Sequence, residues 1–188
     1  MPGSRDGGGP LGRDPFGPAP FTPGPLGRND CADPWKRRPQ ASLVYYIFEG
    51  LLVGFIGTKL VHVAAMSGGA GGSTKHRPTD VANNPYMEGL KTVSGKAGHT
   101  HGGPIPPGRY TIAEPARHPH LGLSAALIAY CPTMGRGGFY IHGRGPHGSD
   151  GCIVPLEKSQ FDKLMSALEA SKGGSLWVQE TMGDERFA

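Results

Sequence analysis

Residues 42–65, SLVYYIFEGLLVGFIGTKLVHVAA, constrain this chain most, because they form an apolar run long enough to cross a bilayer as a helix. The punctuation of the run argues against a span. Glu49, Lys59 and His62 would each be costly at mid-membrane. Gly50, Gly54 and Gly57 recur at turn-like intervals, and the Val, Ile, Tyr and Phe between them favour strands. The run therefore reads as three short strands, 43–48, 51–56 and 59–65, joined by tight turns at Glu49-Gly50 and Gly57-Thr58. No membrane span is expected.

The Gly and Pro content divides the rest. Residues 1–40 hold eight Gly and nine Pro, too dense a mixture to bury a core against its chain entropy. They read as a disordered Gly/Pro-rich arm, with residues 41–182 as one folded domain and 183–188 as a tail. Further strands are expected at 109–112, 123–130, 138–141, 153–154 and 175–179. Residues 66–101 read as loop, with a helical turn at 85–90. The one convincing helix is 159–171, where Phe161, Leu164, Met165 and Leu168 share a face. Ser159 and Asp162 resemble a capping box at its start, and Gly173 stops it. The fold class is mainly β, with one principal helix near the C-terminus.

The net charge of +4 is scattered, and no basic helix accompanies it, so no nucleic-acid partner is expected. A mild positive balance suits a carboxylate-rich polymer such as a cell wall. The chain opens without the charged, apolar and small-residue regions of a signal peptide. Three cysteines allow at most one bridge. Cys131 reads as a buried strand residue and Cys31 as incidental.

Chemistry concentrates in residues 138–155, GFYIHGRGPHGSDGCIVP. A strand delivers His142 at its end, and Cys152 opens the next β-like run. The intervening glycines and Pro146 favour a folded return that brings imidazole and sulfur together. A thiol needs such a partner, since a free cysteine is only a few per cent thiolate at neutral pH. Gly151 permits unusual backbone angles, and N–H groups around Gly151 and Cys152 could face an oxyanion. By spacing alone, Cys152 is as well read as a buried small hydrophobe and His142 as a satisfied strand-end residue. His147, in the same loop, competes as a base. His99, His101, His118 and His120 could gather a zinc ion, but no accompanying motif supports one, and neither a metal nor a cofactor is called for.

These residues resemble a known family. His142-Gly143 followed by Ser149-Asp150-Gly151-Cys152-Ile153-Val154 is similar to the signature of the L,D-transpeptidase (YkuD-type) catalytic domain. Upstream, residues 103–112, GPIPPGRYTI, resemble the strand that precedes that site. The short His-to-Cys spacing, with Ser67-Gly68 and Asn84-Pro85, resembles a branch of small antibacterial effectors delivered by type VI secretion. The likeness implies an L,D-transpeptidase-like β-sandwich and an enzyme that modifies peptidoglycan stem tetrapeptides. Cys152 would be the nucleophile and His142 the base, the latter oriented by a backbone carbonyl. The site loop would be Gly143, Ser149, Asp150 and Gly151. Tyr140, Arg144, His147 and Arg109 are candidate substrate-binding residues. Many members carry His at the position of Asp150 and Arg at that of Val154, which leaves Arg144 or Arg109 to hold the substrate carboxylate. The branch implies synthesis in a bacterial cytoplasm, action in the periplasm of a target cell, a cognate immunity protein and a secretion-apparatus partner. Two other readings compete. A sortase-like cysteine hydrolase or transferase would want a later strand Arg. A non-catalytic binding module with a Pro-rich docking arm would show no reactivity at Cys152.

Overall fold

A computed structural model describes residues 40–69, 81–91, 93–95, 98–100, 102–145 and 149–183. The apolar run forms an antiparallel meander of β1 (Ala41–Tyr46), β2 (Leu51–Ile56) and β3 (Lys59–Ser67). Gly50 and Gly57 turn it with φ of 61° and 59°, angles that other residues adopt only with strain. Along β1, Leu43 and Tyr45 point into the core while Val44 and Tyr46 are half-buried on the outer face. Among the described residues no helix is long and apolar enough to cross a membrane.

After β3 come β4 (Val93–Gly95) and β5 (Gly98–Thr100), which pair only with each other. Then follow β6 (Gly108–Ile112), β7 (Ala116–His118), β8 (Gly122–Ala129), β9 (Phe139–His142), β10 (Ile153–Pro155), helix α1 (Lys158–Ala170) and β11 (Gly174–Gln179). The main sheet runs β6-β11-β1-β2-β3-β10-β9-β8-β7, and β6 also pairs with β8. That extra pairing closes the sheet on itself into a barrel-like sandwich, so the fold is mainly β with one helix, as expected. Two contacts are parallel, β1 with β11 and β9 with β10. Tyr45, Ile105, Tyr110, Ile141, Ile153 and Leu176 lie fully inside.

Helix α1 covers the core with the four residues expected of it, Phe161, Leu164, Met165 and Leu168. Its start differs from expectation. Glu157 is the N-cap and makes no side-chain cap bond, while Asp162 pairs with Lys158 at 2.5 Å one turn apart. The helix is capped two residues earlier than expected, so Ser159 lies inside its first turn and cannot be the N-cap of a box with Asp162. Gly173 ends the helix as expected: φ is 87°, and a Cβ there would lie 2.2 Å from the Ile112 carbonyl oxygen. The helical turn expected at 85–90 is a 3-10 turn, Pro85–Met87, capped by the Asn84 side chain.

A buried polar spine ties the meander to the loops above it. Asn83 Oδ1 accepts from the Tyr45 hydroxyl and the Ser67 N–H, both at 2.7 Å, and its Nδ2 donates to Ala65 at 3.2 Å. The Ser67 hydroxyl accepts from the Ile105 N–H at 2.8 Å and donates to the Gly151 carbonyl at 3.0 Å. A chain of hydrogen bonds through the side chains of Tyr45, Asn83 and Ser67 thus runs from β1 to the residue before Cys152. Burial raises the phenol of Tyr45 far above its ordinary range, so it acts only as a neutral donor.

Candidate active site

The parallel pairing of β9 with β10 sets Ile153 opposite Ile141, both fully buried in the core. Alternation along β9 puts Tyr140 and His142 on the opposite face, and Cys152 directly precedes β10. Both His142 and Cys152 are buried, at 5% and 8% exposure. They are not hydrogen-bonded to each other. His142 Nδ1 lies 2.7 Å from the Gly143 carbonyl oxygen, which selects the tautomer with the proton on Nδ1 and leaves Nε2 as the basic nitrogen. Cys152 Sγ lies 3.8 Å from the Gly138 carbonyl oxygen.

Burial governs both titrations. Desolvation lowers the pKa of His142; the Gly143 hydrogen bond opposes this and the nearby His118 adds to it. The imidazole is therefore neutral at pH 7. Desolvation pushes the Cys152 thiol up to about 11, assisted by Asp150 and opposed by the Tyr140 backbone, the Ser149 hydroxyl and Arg136. The resting pair is thiol and neutral imidazole, not an ion pair. Such a pair can act by proton removal during attack.

The site loop is held from several directions. The Ser149 hydroxyl donates to the Cys152 carbonyl at 2.7 Å, and the Ser149 N–H to Gly69 at 2.9 Å. Asp150 Oδ1 accepts from the Gly102 N–H at 3.1 Å. Gly151 has φ of 106°, and a Cβ there would meet Arg136 Nη2 at 2.6 Å and the Phe139 ring at 2.7 Å. Gly143 packs against Phe161 of α1.

Of the candidate substrate residues, Tyr140 sits beside the imidazole of His118, with ring centroids 5.1 Å apart. Arg144 is exposed two residues past His142. Arg109 is not brought to this face: its guanidinium lies 5.5 Å over the ring of Trp177, between β6 and β11. His147 lies outside the described residues, as do His101, Cys31 and the side chain of His99. His118 and His120 have ring centroids 5.9 Å apart, but His118 Nδ1 accepts the N–H groups of His120 and Leu121, which takes that nitrogen from any metal. Among the described residues no group of three or more His, Cys, Asp or Glu could hold a metal ion.

Cys131 departs from expectation. It is half-buried just beyond β8 and disulfide-bonded, whereas Cys152 is a free thiol. The next residue, Pro132, has no N–H with which to extend the strand. Sequence reasoning also passed over Arg136 and Asn83, which lie in loops and carry no pattern of their own.

No protein-family model matches this chain, and no curated protein matches it significantly. Among solved structures, it is similar to an L,D-transpeptidase from Xylanimonas cellulosilytica at 13% identity and a TM-score of 0.44, covering 77% of this chain and 62% of that one. An L,D-transpeptidase from Mycobacterium smegmatis shares 14% identity with a TM-score of 0.41, over 74% and 58% of the two chains. L,D-transpeptidase 3 from Mycobacterium tuberculosis, in complex with a faropenem-derived adduct, shares 15% at a TM-score of 0.38, over 76% and 61%. The chain thus spans about three-fifths of the length of these structures.

Proposed function

We propose that this chain is a cysteine enzyme that modifies peptidoglycan stem tetrapeptides, acting as an L,D-carboxypeptidase, a D-amino acid exchanger or a transpeptidase. The observation that supports the reading is that β9, which ends at His142, pairs in parallel with β10, which Cys152 precedes directly after the positive-φ Gly151. The motif residues quoted above supply the substrate class. Cys152 Sγ attacks the carbonyl at the L-centre of a diaminopimelate residue, and His142 Nε2 takes the thiol proton. The backbone N–H groups of Gly151 and Cys152 receive the oxyanion. The C–N bond to the terminal D-Ala breaks, His142 returns the proton to the leaving amine, and a thioester remains on Cys152. Water, a D-amino acid or a second stem then resolves it. Arg144 is the cation we assign to the substrate carboxylate.

The test is incubation with purified tetrapeptide muropeptides followed by mass spectrometry, read across pH. Release of D-Ala or its exchange is expected. The acid limb of kcat/KM should fall below the ordinary imidazole value of 6.5, because burial keeps His142 neutral to lower pH. Above it the rate should stay flat to near the thiol value of about 11. A rate that rises steadily between pH 7 and 10 instead would mean that a preformed thiolate attacks.

The finer reading is an effector that acts in a rival's periplasm, with a cognate immunity protein and a secretion carrier. An added export signal should make the chain harmful to a Gram-negative host, and the chain without that signal should do little harm. Equal harm from both forms would point to a cytoplasmic target.

A further inference from the structure

Arg136 stands on the turn before β9, and nothing in the proposed reaction uses it. Its guanidinium serves four backbone carbonyls from three separate segments. Nη2 donates to Gly103 at 2.7 Å and to Asp150 at 3.1 Å. Nη1 donates to Pro104 at 2.7 Å and also to Glu88. The Cζ of the group lies 5.3 Å from the Phe139 ring centroid, and Nη2 fills the space beside Gly151 where a Cβ would otherwise sit. With four N–H bonds committed to carbonyls, this arginine is poorly placed to bind a substrate carboxylate.

We propose that Arg136 is the positioning residue of this site: its guanidinium pins the 150–152 turn to the 102–104 segment and holds a positive charge beside the Cys152 sulfur. The inference rests on the reading of Cys152 as the reactive thiol. A planar fork suits the task because it can bond several carbonyls at fixed angles while keeping its charge. Burial lowers the pKa of Arg136, and the ionised forms of Tyr110, Asp150, Cys152 and Glu88 oppose that shift and favour its charge. Asp150 disfavours the thiolate and Arg136 favours it. The side chain therefore offsets part of the cost that burial imposes on the sulfur.

The experiment measures iodoacetamide modification of Cys152 at pH 9, read by mass spectrometry, which needs no substrate. Arg136→Gln keeps a donor but removes the charge, and should slow alkylation about tenfold, the size of a one-step change in thiolate fraction. Arg136→Lys keeps the charge and should stay within about threefold of the parent. A folded Arg136→Gln variant that alkylates at the parental rate would overturn the inference, as would a lysine variant as slow as the glutamine one. Should Arg136→Gln not fold, Arg136→Lys is read by amide hydrogen exchange over residues 149–152. Loss of the fork should speed that exchange about tenfold, and unchanged protection would overturn the pinning role. If alkylation depends on Arg136 as described yet muropeptides are not turned over, the substrate assignment fails and this inference stands.

Discussion

Cys152→Ala is expected to abolish product formation while leaving the fold in place. Cys152 is 8% exposed, and its sulfur makes a weak contact at 3.8 Å with the Gly138 carbonyl oxygen. Removing it costs about 1 kcal/mol, the size of an ordinary point change. The backbone N–H and C=O of residue 152 stay, so the Ser149 hydroxyl keeps its 2.7 Å bond to the carbonyl. Chemistry has no comparable fallback. His142 can move a proton but cannot form the thioester, and losses of about ten-thousandfold or more follow removal of a covalent nucleophile. Mass spectrometry of products and of the acylated chain checks this, alongside a thermal melt. Turnover by the alanine variant at more than a few per cent of the parent would remove Cys152 from the mechanism.

Gly151→Ala should damage the site nearly as severely by a different route. The residue sits at φ 106°, where a side chain is strained at a cost of about 1–3 kcal/mol. Its new methyl would also lie 2.6 Å from Arg136 Nη2 and 2.7 Å from the Phe139 ring. Relief by rotating the turn is resisted by the Ser67 hydroxyl, which holds the Gly151 carbonyl at 3.0 Å. Overpacking of this kind costs about 1–3 kcal/mol more. The turn should therefore shift and carry Cys152 with it. A displacement near 1 Å at a reacting atom lowers rate by about a hundredfold, so turnover should fall by at least that much, and the melting temperature should drop. Gly145→Ala is the control, because a Cβ there meets nothing within 4 Å. Equal, parental activity in both variants would show that the strained turn is not needed.

These two changes act on residues that the sequence already singled out, and the reason is local. His142, Gly151 and Cys152 stand out because chemistry, conformational freedom and a strand end coincide within a few residues. The same locality made β1, β2, β3 and the buried face of α1 legible from alternation and from i, i+3, i+4 spacing. Where elements owe their form to a partner, local reading failed. β7 is three residues ending beside Pro119, and it is a strand because Ala116, Arg117 and His118 find Ser124, Leu123 and Gly122 across the ladder. β4 and β5 are short, poor in strand-forming residues, and ordered by each other. The Ser159–Asp162 box does not form, because the helix is capped two residues earlier, at Glu157.

The sequence by itself determined the mainly β class, the meander, the helix face and the residues where chemistry can occur, because each depends on side chains a few positions apart. Only the tertiary structure decided what surrounds them. It put Arg109 on Trp177, took Cys131 into a disulfide, and linked Asn83 and Ser67 to the turn at Gly151. It also brought Arg136 to the carbonyls of Glu88, Gly103, Pro104 and Asp150. Carbonyl acceptors belong to every residue alike, so no side-chain pattern in the sequence marks which of them will converge on one guanidinium.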